Sequence, residues 1–260
     1  MIINFISVLH VGENLPNNMN MKFTIEYDGT NYHGWQIQKN IPTIQGELKK
    51  AFETILPNEK INIIGSGRTD QGVHAYGQVA SLKLSQKINL ETLFKSVNGI
   101  INNNIYINHF EEIDDDFNAR YSAKKRIYKY YINRIYSPFK EKTAWFINQS
   151  IKFSLLQKCA TEIIGTHNFS SLSKNNIETD NKDCIIYESF WEEDKNELIY
   201  TIIANRFLHH MVRFIVGSSI EVAKSKIDYC DFVDLIHNKS IISPLCAPSK
   251  GLFLCEVIYD

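Results

Sequence analysis

The sequence contains few cysteines, and their arrangement argues against two classes of protein. Five cysteines occur in 260 residues, an odd number with no C-x-x-C pair. A disulfide framework needs paired cysteines, and a structural zinc site needs thiolates and histidines at close, regular spacing. Because neither pattern is present, we expect reduced, mostly buried thiols in a cytoplasmic protein. No grouping of histidine, cysteine and carboxylate residues has metal-ligand spacing, so we expect no metal site.

The sequence also lacks an excess of positive or negative charge, and it has few prolines and no long apolar run. Lysine and arginine number 28 against 29 acidic residues, a net charge of −1, so any nucleic-acid surface must come from local clustering. Only six prolines occur, and no proline-rich linker separates the chain into parts. The apolar N-terminal stretch is interrupted by His10, Gly12 and Glu13 and lacks a basic start, so we expect no signal peptide and no membrane span.

What is present is an alternation of strand-like and helix-like segments with 44% hydrophobic residues. Apolar periodicity predicts strands at 22–28, 61–65, 78–84, 126–134, 198–204 and 251–259, and helices at 43–56, 89–100, 153–164 and 206–224. Each half begins with a tyrosine-rich strand and continues through a loop to an amphipathic helix. This order predicts an α+β fold of two similar domains. The acidic stretch Glu111 to Asp116 suggests the boundary between a first domain at 21–116 and a second at 117–260. The residues before the first strand are expected to form an N-terminal extension at 1–20.

The densest polar cluster is a glycine-rich loop, GSGRTDQGVHA, at residues 65–75. Gly67 and Gly72 have the spacing of a phosphate-binding loop, but the residues that follow are not the lysine and hydroxyl residue that this motif needs. The glycines permit a sharp bend and the close approach of a ligand to Asp70. Asp70 is either a nucleophile or base, or a carboxylate that hydrogen-bonds its own turn.

A basic and aromatic stretch runs from Arg120 to Lys142, with Glu141 as its only acid. Basic side chains for phosphates and tyrosine rings for bases are typical of an RNA-binding surface. In a strand, Tyr128 and Lys129 point to opposite faces. The alternative is an amphipathic strand with a solvated basic face. The candidate RNA-binding residues are Arg120, Lys124, Lys125, Arg126 and Lys129.

The helix predicted at 206–224 carries Arg213 on the face opposite its main apolar stripe. His209 would be the i, i+4 neighbour of Arg213, and Val212 and Val216 flank both. Arg213 is therefore either a surface residue whose stem covers apolar groups, or a half-buried cation that needs a carboxylate partner.

The loop GRTDQGVHA at 67–75 resembles the signature GRTDAGVHA of the tRNA pseudouridine synthase A family, with Gln71 for alanine as the one mismatch. Further segments resemble family blocks, in family order, and cover nearly the whole chain past residue 21. They are YDGTNYHGWQ (27–36), TIQGELKKA (43–51), FNARYSAKKRIYKYYI (117–132), GTHNFSSL (165–172), FLHHMVRFIVG (207–217) and APSKGLFLCEVIY (247–259). The chain departs from the family at 181–184 and in its first twenty residues. Several long blocks in order are far more specific than one motif.

The resemblance implies isomerisation of uridine to pseudouridine in the anticodon stem-loop of tRNA, at positions 38, 39 and 40. It also implies the pseudouridine synthase fold, in which each of two similar domains is a mainly antiparallel sheet with helices on one face, around a central basic cleft. A cytoplasmic homodimer that binds tRNA and needs no cofactor, metal or membrane is expected on the same ground.

The resemblance also assigns roles to individual residues. Asp70 matches the catalytic aspartate, and Tyr128 matches an active-site tyrosine that stacks on the base or transfers a proton. Arg213 matches the arginine that pairs with the catalytic carboxylate, which predicts that it is half-buried. Arg68 matches the arginine that displaces the target base. A non-catalytic tRNA-binding protein on the same fold is the alternative function, and a glycine-loop phosphotransferase is a weaker one.

Overall fold

The computed structural model describes residues 18–174 and 181–260, and the chain divides into two compact units. Unit 1 comprises Met1–Ala123 with Tyr259–Asp260, and unit 2 comprises Lys124–Ile258. Within the described ranges, five α-helices accompany strands that pair almost entirely antiparallel, which is the predicted α+β class. Among these residues, no helix combines the length and the apolar character that crossing a membrane requires.

Unit 1 is built on a small antiparallel sheet. Its elements in chain order are β1 (Met19–Tyr27), α1 (Ile44–Ile55), β2 (Ile64–Gly65), β3 (His74–Leu84), α2 (Leu90–Ile100) and β4 (Ile105–Ile113). β1 lies between β3 and β4, and the short β2 pairs with β3. The rings of Phe23, Phe52 and Phe110 form an apolar cluster, with centroids 5.5 Å apart for the first pair and 5.3 Å for Phe23 and Phe110. This cluster joins α1 to β1 and β4.

Unit 2 is a larger, mainly antiparallel sheet with three helices among its described residues. Its elements are β5 (Lys125–Asn133), β6 (Trp145–Phe146), α3 (Phe153–Glu162), β7 (Gly165–Asn168), β8 (Asp183–Asp194), β9 (Glu197–Ala204), α4 (Met211–Ala223), α5 (Tyr229–Ile236) and β10 (Leu252–Ile258). Within this unit the strand order is β10-β5-β9-β8-β7, and β6 pairs with β5 in parallel. The tyrosine-rich β5 is therefore flanked on both sides by other strands.

The boundary between the units follows Ala123, whereas the acidic stretch suggested a boundary after residue 116. The difference arises because the residues in between are bonded to unit 1. Asn20 Nδ2 donates to the carbonyl oxygen of Phe117 (3.1 Å), and Ala119 N donates to Ser81 Oγ (3.2 Å). The predicted extension at 1–20 lies outside the described residues except at its end, which already belongs to β1.

Three expectations about local structure need correction. The fourth helix begins at Met211 rather than at residue 206, because His210 has a left-handed φ of 63° and interrupts the helical path. His209 is therefore not a helical neighbour of Arg213. The strand expected at 61–65 is ordered as β2 only over Ile64–Gly65. The thiols are less buried than expected: all five lie in the described ranges and are free, but only Cys159 and Cys184 are buried.

Candidate active site

The glycine-rich loop joins β2 to β3 in unit 1 and is held by backbone hydrogen bonds at several points. Ser66 N donates to Val79 O (2.7 Å), which fixes the start of the loop. Trp35 N donates to Thr69 O (3.1 Å), and Val73 N donates to Asp70 O (3.1 Å), which closes a turn after the aspartate. The loop is therefore a fixed part of unit 1.

Glycines of the 27–36 segment allow that segment to lie directly against the loop. A Cβ added to Gly29 would lie 2.0 Å from Val73 O, and one added to Gly34 would lie 2.5 Å from Thr69 O. Gly34 and Gly72 also have left-handed φ values of 87° and 74°, which favour glycine. The 27–36 segment and the glycine-rich loop can therefore pack closely together because glycines occupy these positions.

The loop directs alternate side chains outward and inward. Arg68 is exposed and Asp70 is half-buried, whereas Thr69 between them is only 6% exposed. Gly67 differs from the other loop glycines: a Cβ added there meets no atom within 4 Å, and its φ is not left-handed. Among the residues that the structure describes, neither crowding nor backbone conformation therefore requires a glycine at this position.

Beneath the loop lies a set of buried polar side chains that the sequence reasoning missed. The Tyr27 hydroxyl and Thr69 Oγ1 share a hydrogen bond of 2.8 Å, and Ser66 Oγ donates to Gln78 Oε1 at 2.7 Å. Burial raises the pKa of Tyr27 above its ordinary value, so the phenol is neutral at any working pH. Tyr27 lies in a block that carried the resemblance, but nothing in the pattern of β3 distinguishes Gln78.

In unit 2, Tyr128 lies on β5, opposite Leu254 of β10 and Ile202 of β9. It is 8% exposed, and its ring meets that of Phe207 edge-on, with centroids 5.0 Å apart and an interplanar angle of 82°. The ring is therefore packed, and Phe207 is a neighbour that the sequence did not indicate.

Arg213 is half-buried near the start of α4, as expected. Its Nε donates to Ala247 O (2.8 Å), and Ala247 N donates to Arg213 O (3.0 Å). The 245–248 segment lies so close to α4 that a Cβ on Gly217 would be 2.1 Å from Leu245 O. A backbone carbonyl thus anchors the inner nitrogen of the guanidinium, a contact that the two sequence alternatives did not include.

The candidate RNA-binding residues do not all share one face. Arg120 and Lys124 are exposed, and the other three are half-buried. On β5 the buried residues alternate, so Arg126 leaves the strand on the face of Tyr128, while Lys125 and Lys129 leave it on the opposite face. Arg126 Nη1 donates to the carbonyl oxygen of Asn205 (2.7 Å), which fixes its direction.

Comparisons with known proteins agree with the motif blocks. A family model described as tRNA pseudouridine synthase matches residues 24–122 and 159–260. The chain is 37% identical over 243 residues to tRNA pseudouridine synthase A of Thermoanaerobacter sp. (strain X514), which covers 92% of this chain and 99% of the relative. It is 33% identical to the protein of that name from Exiguobacterium sp. (strain ATCC BAA-1283 / AT1b) over 92% of this chain and 98% of the relative. It is 36% identical to the protein of that name from Borrelia duttonii (strain Ly) over 91% of this chain and 97% of the relative. These matches span both units, and the chain therefore belongs to the tRNA pseudouridine synthase family of isomerases.

Proposed function

We propose that this isomerase converts uridine to pseudouridine in the anticodon stem-loop of tRNA, at positions 38, 39 and 40. The observation that carries the proposal is the fixed loop of unit 1, which holds a half-buried Asp70 beside an exposed Arg68. A carboxylate held rigidly at a ligand-accessible bend has the geometry that nucleophilic or base catalysis needs. A pure binding protein has no need of such a carboxylate next to RNA phosphates, which favours the enzyme over the non-catalytic alternative.

The reaction rearranges bonds without oxidation or reduction. The bond from ribose C1′ to uracil N1 breaks, the uracil turns, and C5 bonds to C1′; C5 loses its proton and N1 gains one. Asp70 either attacks the sugar or assists formation of a glycal-like intermediate. Both roles require an ionised carboxylate at the ribose.

Three further residues complete the proposed mechanism. Arg68 fills the space of the displaced base, whose unstacking costs a few kcal/mol. Arg213 pairs with the Asp70 carboxylate and offsets the unfavourable enclosure of its charge. Its anchoring on Ala247 supports this role, because it fixes one end of the guanidinium. The Tyr128 ring is buried against Phe207. This packing favours a role for its hydroxyl in proton transfer over a role for its ring in stacking on the base.

Tyr128→Phe is expected to retain RNA binding, because the ring and its contact with Phe207 remain. If the hydroxyl transfers a proton, the single-turnover rate should fall by about 10²-fold or more. The measurement is the rate of pseudouridine formation with saturating enzyme, alongside the dissociation constant for the same RNA. Unchanged binding with an unchanged rate would instead assign Tyr128 to stacking, because phenylalanine keeps the ring.

Binding of tRNA is expected to weaken with salt although the net charge is −1. Each phosphate neutralised contributes roughly −0.7 to −0.9 to the slope of log affinity against log salt. Replacing Lys124, Lys125 and Lys129 together with glutamine should make this slope shallower. The matched control replaces three lysines of the unit 1 helices, namely Lys49, Lys50 and Lys95. An unchanged slope in the first triple variant would remove these residues from the proposed RNA surface, and Arg126→Gln would then test the opposite face of β5.

Gly67→Ala is expected to lower kcat/KM at least about tenfold without lowering the melting temperature. The added methyl meets no protein atom within 4 Å, so the fold has room for it. An RNA backbone that passes close to the loop does not have that room. Gly99→Ala is the matched control, because its added Cβ also meets no atom within 4 Å. Equal, unimpaired activity in both variants would show that the RNA does not approach Gly67.

The proposal includes a cytoplasmic homodimer as the active form. The family resemblance supports this, and light scattering of the purified protein would test the dimer directly.

The position of modification is tested by incubating the purified protein with an unmodified tRNA transcript that has uridine at 38, 39 and 40. Pseudouridine is then mapped by carbodiimide adduct formation and primer extension. Modification at these positions, with other uridines of the arm unmodified, supports the proposal. Modification confined to another arm of the tRNA would contradict it.

A further inference from the structure

The buried polar side chains beneath the loop have no part in the mechanism above. We propose that Gln78 and Tyr27 are positioning residues that fix the backbone on either side of Arg68, and so set where Arg68 and Asp70 project. This inference rests on the proposed roles of Arg68 and Asp70 in the isomerisation.

Gln78 is fully buried on β3, and its amide binds the start of the loop with both of its ends. Gln78 Oε1 accepts from Ser66 Oγ (2.7 Å) and from Val79 N (3.2 Å), while Nε2 donates to Gly67 O (3.0 Å). A single side chain thus holds the carbonyl that immediately precedes Arg68.

Tyr27 holds the other side of Arg68. Its hydroxyl shares a 2.8 Å hydrogen bond with Thr69 Oγ1, and both residues are buried. The carbonyl of Thr69 also accepts from Trp35 N (3.1 Å). The peptide before Arg68 and the residue after it are therefore both bound to the interior, and the Arg68 side chain leaves from between two fixed points.

Buried hydrogen bonds of this kind set position because the alternatives are costly. An apolar side chain in place of Gln78 would leave Gly67 O without its amide donor, and the backbone would shift to recover one. Catalytic groups tolerate little movement: a displacement of about 1 Å far from the chemistry can reduce the rate about 10²-fold. A purely structural role would lower stability and leave the rate of the folded enzyme unchanged.

Gln78→Glu distinguishes these roles, because only the protonated acid can donate to Gly67 O as the amide does. Tyr27, a titratable residue of the same buried cluster, stays neutral. Burial raises the pKa of a carboxyl at position 78, so the protonated form returns as the pH falls. We expect the single-turnover rate of Gln78→Glu, relative to the unmodified protein, to be at least about tenfold lower at pH 8. It should recover as the pH falls and the protonated fraction rises. Gln78→Met should show the loss without the recovery.

The hydrogen bond between the Tyr27 hydroxyl and Thr69 Oγ1 can be removed from either side. Tyr27→Phe and Thr69→Val each remove one partner with little change in shape. Each should lower kcat by at least about fivefold with KM nearly unchanged, and the double variant should lose no more than either single one, because both remove the same bond. Tyr200→Phe is the matched control: Tyr200 is a buried tyrosine in unit 2 whose hydroxyl shares a 2.8 Å hydrogen bond with Ser189 Oγ. Gln157→Met is the control for Gln78→Met, since Gln157 also binds backbone groups, those of Trp191.

A readout that needs no substrate separates this inference from the proposed function. Amide hydrogen exchange of residues 66–70 should be at least about tenfold faster in Gln78→Met than in the unmodified protein, and unchanged in Gln157→Met. Faster exchange together with the kcat losses supports the inference. Unchanged exchange and unchanged kcat in Gln78→Met and Tyr27→Phe would overturn it. Full activity of Asp70→Asn would instead overturn the proposed function, whatever the exchange of the loop.

Discussion

Asp70→Asn is expected to reduce pseudouridine formation by about 10⁴-fold or more, the scale of loss seen when an enzyme loses its nucleophile. Asparagine keeps the shape of the side chain but has neither the charge nor the nucleophilic oxygen. The fold should be preserved, because the backbone carbonyl of Asp70, which the substitution does not change, accepts the turn-closing bond from Val73 N. Much of the tRNA affinity should also remain, since phosphate contacts supply most of it.

The measurement is the single-turnover rate with each variant saturating over the tRNA, together with the melting temperature. Asp234→Asn, the same exchange at an exposed position of α5, is the matched control and should be fully active. A rate for Asp70→Asn within tenfold of the unmodified protein would mean that another group carries the chemistry.

Arg213→Lys is expected to lower the single-turnover rate by about 10- to 100-fold, although the charge is conserved. Lysine has a methylene where Arg213 has the Nε that donates to Ala247 O, and it cannot present a planar fork to a carboxylate. The loss of one hydrogen bond to a charged group, worth about 1.5–3 kcal/mol, corresponds to this range of rates. The ground-state affinity for tRNA should change less, because the proposed partner of Arg213 is Asp70 rather than the RNA.

Arg206→Lys is the matched control for Arg213→Lys. Arg206 is another half-buried arginine of unit 2, and its Nη2 donates to the backbone carbonyl of Asn181 (3.4 Å). We expect Arg206→Lys to be nearly as active as the unmodified protein. A rate for Arg213→Lys equal to that of the unmodified protein would mean that Arg213 has only a packing role on α4.

The fold class and most elements were predictable because their apolar periodicity is regular. The pattern of α1 gives bounds within about one residue at each end. The strand β8 was not predicted, since its sequence DCIIYESFWEED mixes acids with apolar residues and carries no clean alternation. The start of α4 was misplaced because the left-handed conformation of His210 leaves no sign in the apolar pattern.

The candidate active site was predictable from the sequence only where its residues lie within one contiguous motif. The glycine loop and its resemblance to the family signature pointed to Arg68 and Asp70, and their roles stay predictions. The structure places Arg68 exposed and Asp70 half-buried. Gln78 and Tyr27 were not identified, because hydrogen bonds to residues 11 to 42 positions away follow from how the chain folds and not from local pattern. The tight packing of Tyr128 likewise depends on Phe207, which is distant in the chain.

The most direct test of the central claim uses a short anticodon stem-loop RNA with tritium at C5 of each uridine, incubated with the purified protein and EDTA. The account predicts release of tritium to water, one equivalent for each modified uridine at positions 38, 39 and 40, because C5 loses its hydrogen when it bonds to ribose. Release that requires an added cofactor or metal, or no release from an RNA that the protein binds, would contradict the account.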